Sequence, residues 1–89
     1  MQLLNNMSII SIDIPDEILI SLKETTETLS QELHILSAVK LFELGKLSSG
    51  RAAQLAGFSR VQFLITLGRY QVSPFILTSE DLQHDIDNA

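Results

Sequence analysis

Apolar and polar residues alternate from Ser8 to Ile14, with Ile10, Ile12 and Ile14 on one side and Ser11 and Asp13 on the other. That period of two, together with the β-branched content, predicts a half-buried strand that Pro15 stops. Pro15 or Asp16 then opens a short helix with Ile18, Leu19 and Leu22 on its apolar side. Thr28-Leu29-Ser30-Gln31 fits a capping box and predicts the start of the longest helix, which runs to about Gly45. Along it Leu29, Leu33, Leu36, Val39 and Phe42 recur at helical spacing, with Ile35, Ala38 and Leu41 beside them. This apolar surface is broader than one core contact needs, so a second subunit is the simplest cover for the surplus. Gly45 suits the residue after the C-cap, and Lys40 and Lys46 complement the negative end of the helix dipole.

The next stretch, Lys46 to Gln71, reads as two helices around a tight turn. Ser48 caps the first, which carries Ala52, Ala53, Leu55 and Ala56 inward. Gly57 falls where the chain must reverse with a positive φ. Ser59-Arg60-Val61-Gln62 makes a second capping box and opens a helix to about Gly68. The small Ala53, four residues before Gly57, lets the two helices cross closely. This is the pattern of a helix-turn-helix; an ordinary helical hairpin is the plainer alternative. Ser59, Arg60, Gln62 and Thr66 are the polar residues the second helix has for base edges. Phe63 and Leu67 fall inward, which leaves Val61, Leu64 and Ile65 facing out of a lone chain. Either a dimer covers them or this helix does not read a groove.

Tyr70 to Leu77 alternates again around Pro74, which predicts a short edge strand after the second helix. A single strand at the N-terminus has no local partner. It pairs either with this late segment or with its own counterpart in a second chain. Asp13 on its polar face argues against contact with phosphates, so its expected role is structural. From Thr78 hydroxyls precede acids, with Leu82 and Ile86 one turn apart and Asp81 and Asp85 likewise. That piece is too short to hold a helix alone and is expected to fold on a partner or to stay solvated.

Charge sharpens this division. Residues 1–43 carry a net −5, residues 44–79 carry +4 with no acid, and residues 80–89 carry −4. The four cations of the middle block, Lys46, Arg51, Arg60 and Arg69, coincide with the two-helix motif and suit phosphate contact. The acidic end suits a basic partner. The chain has 89 residues and no cysteine, so a single small domain relies on packing and not on disulfides. No run of apolar residues is long enough to span a membrane, and Met1 to Met7 lacks the basic residues of a secretory signal. Met7 is an alternative start, with the residues before it a poorly ordered extension. A cytoplasmic protein is expected. No nucleophile–base pair or glycine-rich phosphate loop stands out, so neither an enzyme nor a cofactor is expected. His34 stands alone in its helix and reads as a packed or surface residue; Asp81, His84 and Asp85 are the sparse alternative for a metal.

Three runs carry a resemblance: Ser8-Ile9-Ile10-Ser11-Ile12-Asp13-Ile14-Pro15-Asp16-Glu17-Ile18-Leu19, then Ala38-Val39-Lys40-Leu41-Phe42-Glu43-Leu44-Gly45-Lys46-Leu47-Ser48-Ser49-Gly50-Arg51-Ala52-Ala53, then Leu55-Ala56-Gly57-Phe58-Ser59-Arg60. With Tyr70 to Pro74 and the acidic Glu80-Asp81-Leu82, they resemble the prokaryotic uncharacterised protein family 0175 of the UPF series over nearly the whole chain from Met7. That family is thought to comprise small antitoxin-like helix-turn-helix proteins encoded beside PIN-domain ribonuclease toxins. The resemblance implies DNA binding through Arg51, Ser59, Arg60 and Gln62, and toxin binding through the C-terminal segment. Thr66 departs from the pattern, because helix-turn-helix proteins place an aliphatic residue near the end of the second helix.

The reading is therefore a mainly α fold: a helix-turn-helix core with one short N-terminal strand and one short strand after the motif. Residues 1–7 form an N-terminal extension, 8–77 the domain and 78–89 an acidic tail. The expected DNA-contacting residues are Lys46, Arg51, Ser59, Arg60, Gln62 and Arg69. The expected partner-binding residues are Tyr70, Phe75, Leu77, Asp81, Leu82, Asp85 and Ile86. The expected partners are a second copy of the chain, a double-stranded DNA operator and a PIN-domain toxin. A protein-binding module that never touches DNA is the alternative.

Overall fold

A computed structural model describes residues 7–74. Among the described residues four helices follow one another: α1 (Asp16–Leu22), α2 (Thr26–Glu43), α3 (Ser49–Ala56) and α4 (Arg60–Leu67), and a 3-10 turn (Gly68–Tyr70) closes the last. The two expected strands do not form among the described residues. Residues 7–15 run without regular structure, and their isoleucines stay largely exposed. The alternation there is genuine strand chemistry, but a strand exists only through a ladder to a second strand, and the described residues supply none. Its proposed mate begins at Tyr70, which lies in the 3-10 turn instead. Gln71 follows with a left-handed φ of 58°, and the Val72 N–H donates to the Leu67 carbonyl at 3.1 Å. That reversal turns Val72 into the core as a buried plug. The rest of the expected second strand, from Phe75, lies outside the described residues, as do residues 1–6 and the tail 78–89.

Helix α2 begins earlier than the Thr28–Gln31 pattern suggests. Thr25 is the N-cap: its hydroxyl accepts from the Thr28 N–H at 3.2 Å, while the Thr28 hydroxyl accepts from the Thr25 N–H at 3.0 Å. A threonine thus does the reciprocal work usually given to a glutamate or glutamine. The far end matches expectation. Gly45 has a φ of 77°, and the Lys46 N–H returns to the Leu41 carbonyl at 2.9 Å, so the chain leaves α2 sharply.

The core lies where α2, α3 and α4 meet. Ala38, Val39 and Phe42 come from α2, Ala52, Ala53 and Ala56 from α3, Phe63 and Leu67 from α4. Phe42 and Phe63 meet edge to face, with ring centroids 5.8 Å apart and planes at 87°. The three alanines make α3 thin, so the aromatic rings of its neighbours fit against it. Leu55 departs from the inward position assigned to it; it sits at the exposed edge of α3. Ala53 is buried where the motif turns back, and its carbonyl accepts from the Phe58 N–H at 2.9 Å. Ala53→Leu should overpack this contact and cost about 1–3 kcal/mol, read as a lower thermal midpoint by circular dichroism. An unchanged midpoint would mean the crossing tolerates bulk.

α1 stands apart from this core and buries none of its residues. It leaves Ile18, Ile20 and Leu22 exposed. Between α1, the segment before it and the outer face of α2 lies an apolar cleft of about 630 Å³, with walls that include Ile12, Leu19, Leu29 and Leu33.

Candidate functional site

The α3–turn–α4 unit is built from its caps. The Ser48 hydroxyl accepts from the Arg51 N–H at 3.2 Å and starts α3. Gly57, at φ 80°, ends it in the left-handed conformation that a glycine adopts without a Cβ penalty. Phe58 drops toward the core, half-buried. The Ser59 hydroxyl then accepts from the Gln62 N–H at 3.1 Å and starts α4. Two eight-residue helices thus follow each other through a three-residue turn, Gly57-Phe58-Ser59.

Arg60 differs most from its expected place. The sequence puts it on an exposed helix start, but its Nε donates to the Ser49 hydroxyl at 2.8 Å, and the side chain is half-buried. Ser49 is itself buried in the first turn of α3. This pair, eleven residues apart in sequence, draws the N-terminal ends of α3 and α4 within the reach of one arginine. Both ends carry the positive pole of a helix dipole, and Arg51 stands on the first turn of α3. The arrangement favours an anion such as a backbone phosphate. Ser49 carries little signal in the sequence; its only local sign is a hydroxyl directly after a cap. Arg60→Ala should therefore lower stability by about 1–2 kcal/mol by removing the hydrogen bond that ties the starts of the two helices together. Thermal melts of Arg60→Ala and Arg60→Lys against the wild type check this, and an unmoved midpoint for the alanine variant would show that the bridge contributes nothing.

The other expected contacts spread along the same unit. Lys46 is exposed in the loop before α3. The Arg51 Nη1 donates to the Gln54 Oε1 at 3.4 Å, and its side chain remains exposed. Ser59 is spent as a cap. Gln62 is exposed, and Arg69 is exposed in the 3-10 turn, roughly 13 Å along the axis from Arg60. The motif thus has cations at both ends of α4. Glu43, at the end of α2, is held by Lys40 at 2.7 Å, and no acid occurs from residue 44 to residue 74.

Between those ends α4 presents Val61 and Ile65, 68% and 66% exposed and one turn apart. Leu64, expected to face outward with them, is instead half-buried against the core. Thr66 is buried, and its hydroxyl donates to the Gln62 carbonyl at 2.8 Å. The back-bond satisfies the hydroxyl, so Thr66 packs where an aliphatic residue would. Among the expected partner-binding residues only Tyr70 is described, on the exposed side of the 3-10 turn; Phe75, Leu77, Asp81, Leu82, Asp85 and Ile86 lie outside the described residues. His34, expected to be a packed or surface residue, is exposed on α2, where its Nδ1 lies 2.7 Å from the Ser30 carbonyl.

Comparison with known proteins places the chain. The model of an uncharacterised protein family, UPF0175, matches residues 7–89. The chain belongs to the UPF0175 family. A UPF0175 protein of Archaeoglobus fulgidus is 41% identical over 59 residues, which span 66% of this chain and 67% of that one. A UPF0175 protein of Aeropyrum pernix is 34% identical over 58 residues, covering 65% of this chain and 73% of the other. No solved structure matches. The family match begins at Met7, one residue before the alternating segment, and includes the four described helices and residues 78–89.

Proposed function

We propose that this UPF0175 chain is a DNA-binding regulatory protein that docks the α3–turn–α4 unit on duplex DNA. The observation that carries the reading is the exposed face of α4, with Arg51 and Arg60 at one end, Arg69 at the other and no acid from 44 to 74. Exposed Gln62 offers an amide for a base edge, while Val61 and Ile65 suit thymine methyl groups. The phosphate contacts set position, and these three side chains supply what discrimination there is. A non-enzymatic role in the cytoplasm fits the reading, and no described helix is long and apolar enough to cross a membrane. Titration of labelled duplex DNA at two salt concentrations tests it. Affinity that falls steeply with salt supports docking on phosphates, whereas no binding at low salt removes the proposal.

The resemblance drawn above extends the proposal to an antitoxin whose acidic residues 78–89 neutralise a PIN-type ribonuclease. A ribonuclease must attract RNA, so a basic rim on it would complement Asp81 and Asp85, with Leu82 and Ile86 as apolar pegs. Co-expression with the product of the adjacent reading frame tests this arm separately: rescue of growth that residues 78–89 do not affect would count against it. One observation favours a second reading. The Val61–Ile65 pair is as suited to a protein surface as to a groove, and a chain with no DNA affinity would be a protein-binding and oligomerisation module.

A further inference from the structure

We infer that a second copy of this chain docks through residues 8–14, which pair with the same residues of the first copy as a two-stranded antiparallel ribbon over the apolar cleft. This goes beyond the DNA-binding reading and does not depend on it. Three observations converge. Residues 8–14 alternate as a strand, yet they make no main-chain hydrogen bond among the described residues. An open ladder of this kind is completed by a second strand. Ile10 and Ile12 are 84% and 64% exposed although they border the cleft, so the described residues leave most of the apolar side of the segment uncovered. Finally, α1 has no fully buried residue and adds Ile18, Ile20 and Leu22 to the uncovered surface. Burying one such side chain removes on the order of 100 Å² from water, so Ile10, Ile12, Ile18, Ile20 and Leu22 of two copies offer on the order of 1,000 Å² of apolar surface on which a contact can draw, about what a specific interface needs.

Side-chain chemistry selects the register. Centring the ribbon on Ile12 sets Ile12 against its own copy and Ile10 against Ile14 of the second copy, while Ser11 faces Asp13. The isoleucines then form one continuous row over the cleft, and the serine hydroxyl can donate to the aspartate. Centring on Asp13 would oppose two carboxylates, and centring on Ser11 would set Asp13 against Ile9; both are unfavourable.

The chain has no cysteine, so single cysteines report the pairing cleanly. Ile12→Cys should form a disulfide-linked dimer under mild oxidation at least about tenfold faster than Gln54→Cys on the outer side of α3, because the ribbon holds the two sulfurs within bonding range. Light scattering over a dilution series should show the wild type as a dimer. Ile12→Asp should raise the concentration of half-dissociation at least about tenfold, because it sets two charges against each other in an apolar row. Its helical circular dichroism should be unchanged, since the exposed Ile12 lies outside the helices and makes no hydrogen bond among the described residues. A wild type that stays monomeric at every concentration overturns the inference. So does equal crosslinking of the two cysteine variants, or an Ile12→Asp protein that dimerises like the wild type; the cleft would then await a different protein.

Discussion

Phe63→Ala should destabilise the protein by about 3–5 kcal/mol. The ring is fully buried at the meeting of α2, α3 and α4 and edge-on to Phe42. Most other core side chains that α3 offers are alanine methyls, too short to collapse into the space left. In a domain this small such a loss takes a large part of the net stability, and the thermal midpoint should fall by at least about 12 °C. Thermal unfolding followed by circular dichroism checks it. A cost below about 1 kcal/mol would mean that the aromatic pair does not centre the fold. The consequence reaches the site, because Phe63 faces inward from the same helix that turns Val61, Gln62 and Ile65 outward. A weakened ring contact therefore loosens the proposed docking face.

The second large effect concerns salt. If Lys46, Arg51, Arg60 and Arg69 each meet a phosphate, the logarithm of the DNA association constant should fall against the logarithm of salt with a slope of about −3.6. Between 50 and 200 mM salt the affinity then drops by roughly two orders of magnitude. A variant with Lys46, Arg51 and Arg69 all changed to alanine should retain a slope of only about −1 and lose roughly threefold over the same range. Those three side chains are exposed, so the fold should survive their removal. Arg60 is left in place because it also bridges to Ser49 and would mix a stability effect into the binding measurement. Fluorescence anisotropy titrations with duplex DNA check both slopes. A wild-type slope near zero would point to the protein-binding reading.

What the sequence reveals follows the range of the interactions involved. The caps at Ser48 and Ser59, the left-handed Gly57 and the end of α2 at Gly45 are written in residues a few positions apart, and each forms where expected. The start of α2 lies three residues before the Thr28–Gln31 pattern because two threonines cap each other in place of the more familiar glutamine pattern. The strands failed for a different reason. Alternation records which side of a segment is apolar, but not whether a partner strand lies within the same chain. Tyr70 to Val72 is taken by a 3-10 turn and a left-handed residue, so residues 8–14 find no mate there. The caps and most core residues of the α3–turn–α4 unit are legible in the sequence, whereas the bridge from Arg60 is not, because its partner Ser49 lies on a different helix.

Backbone amide shifts measured by NMR during titration with duplex DNA test most directly the proposal that the α3–turn–α4 face docks on DNA. The expected result is a set of shifts confined to residues 46–51 and 59–70, strongest at the starts of α3 and α4, with α1 and the walls of the cleft unmoved. Shifts centred on α1 and residues 8–14, or none at all at low salt, would contradict it.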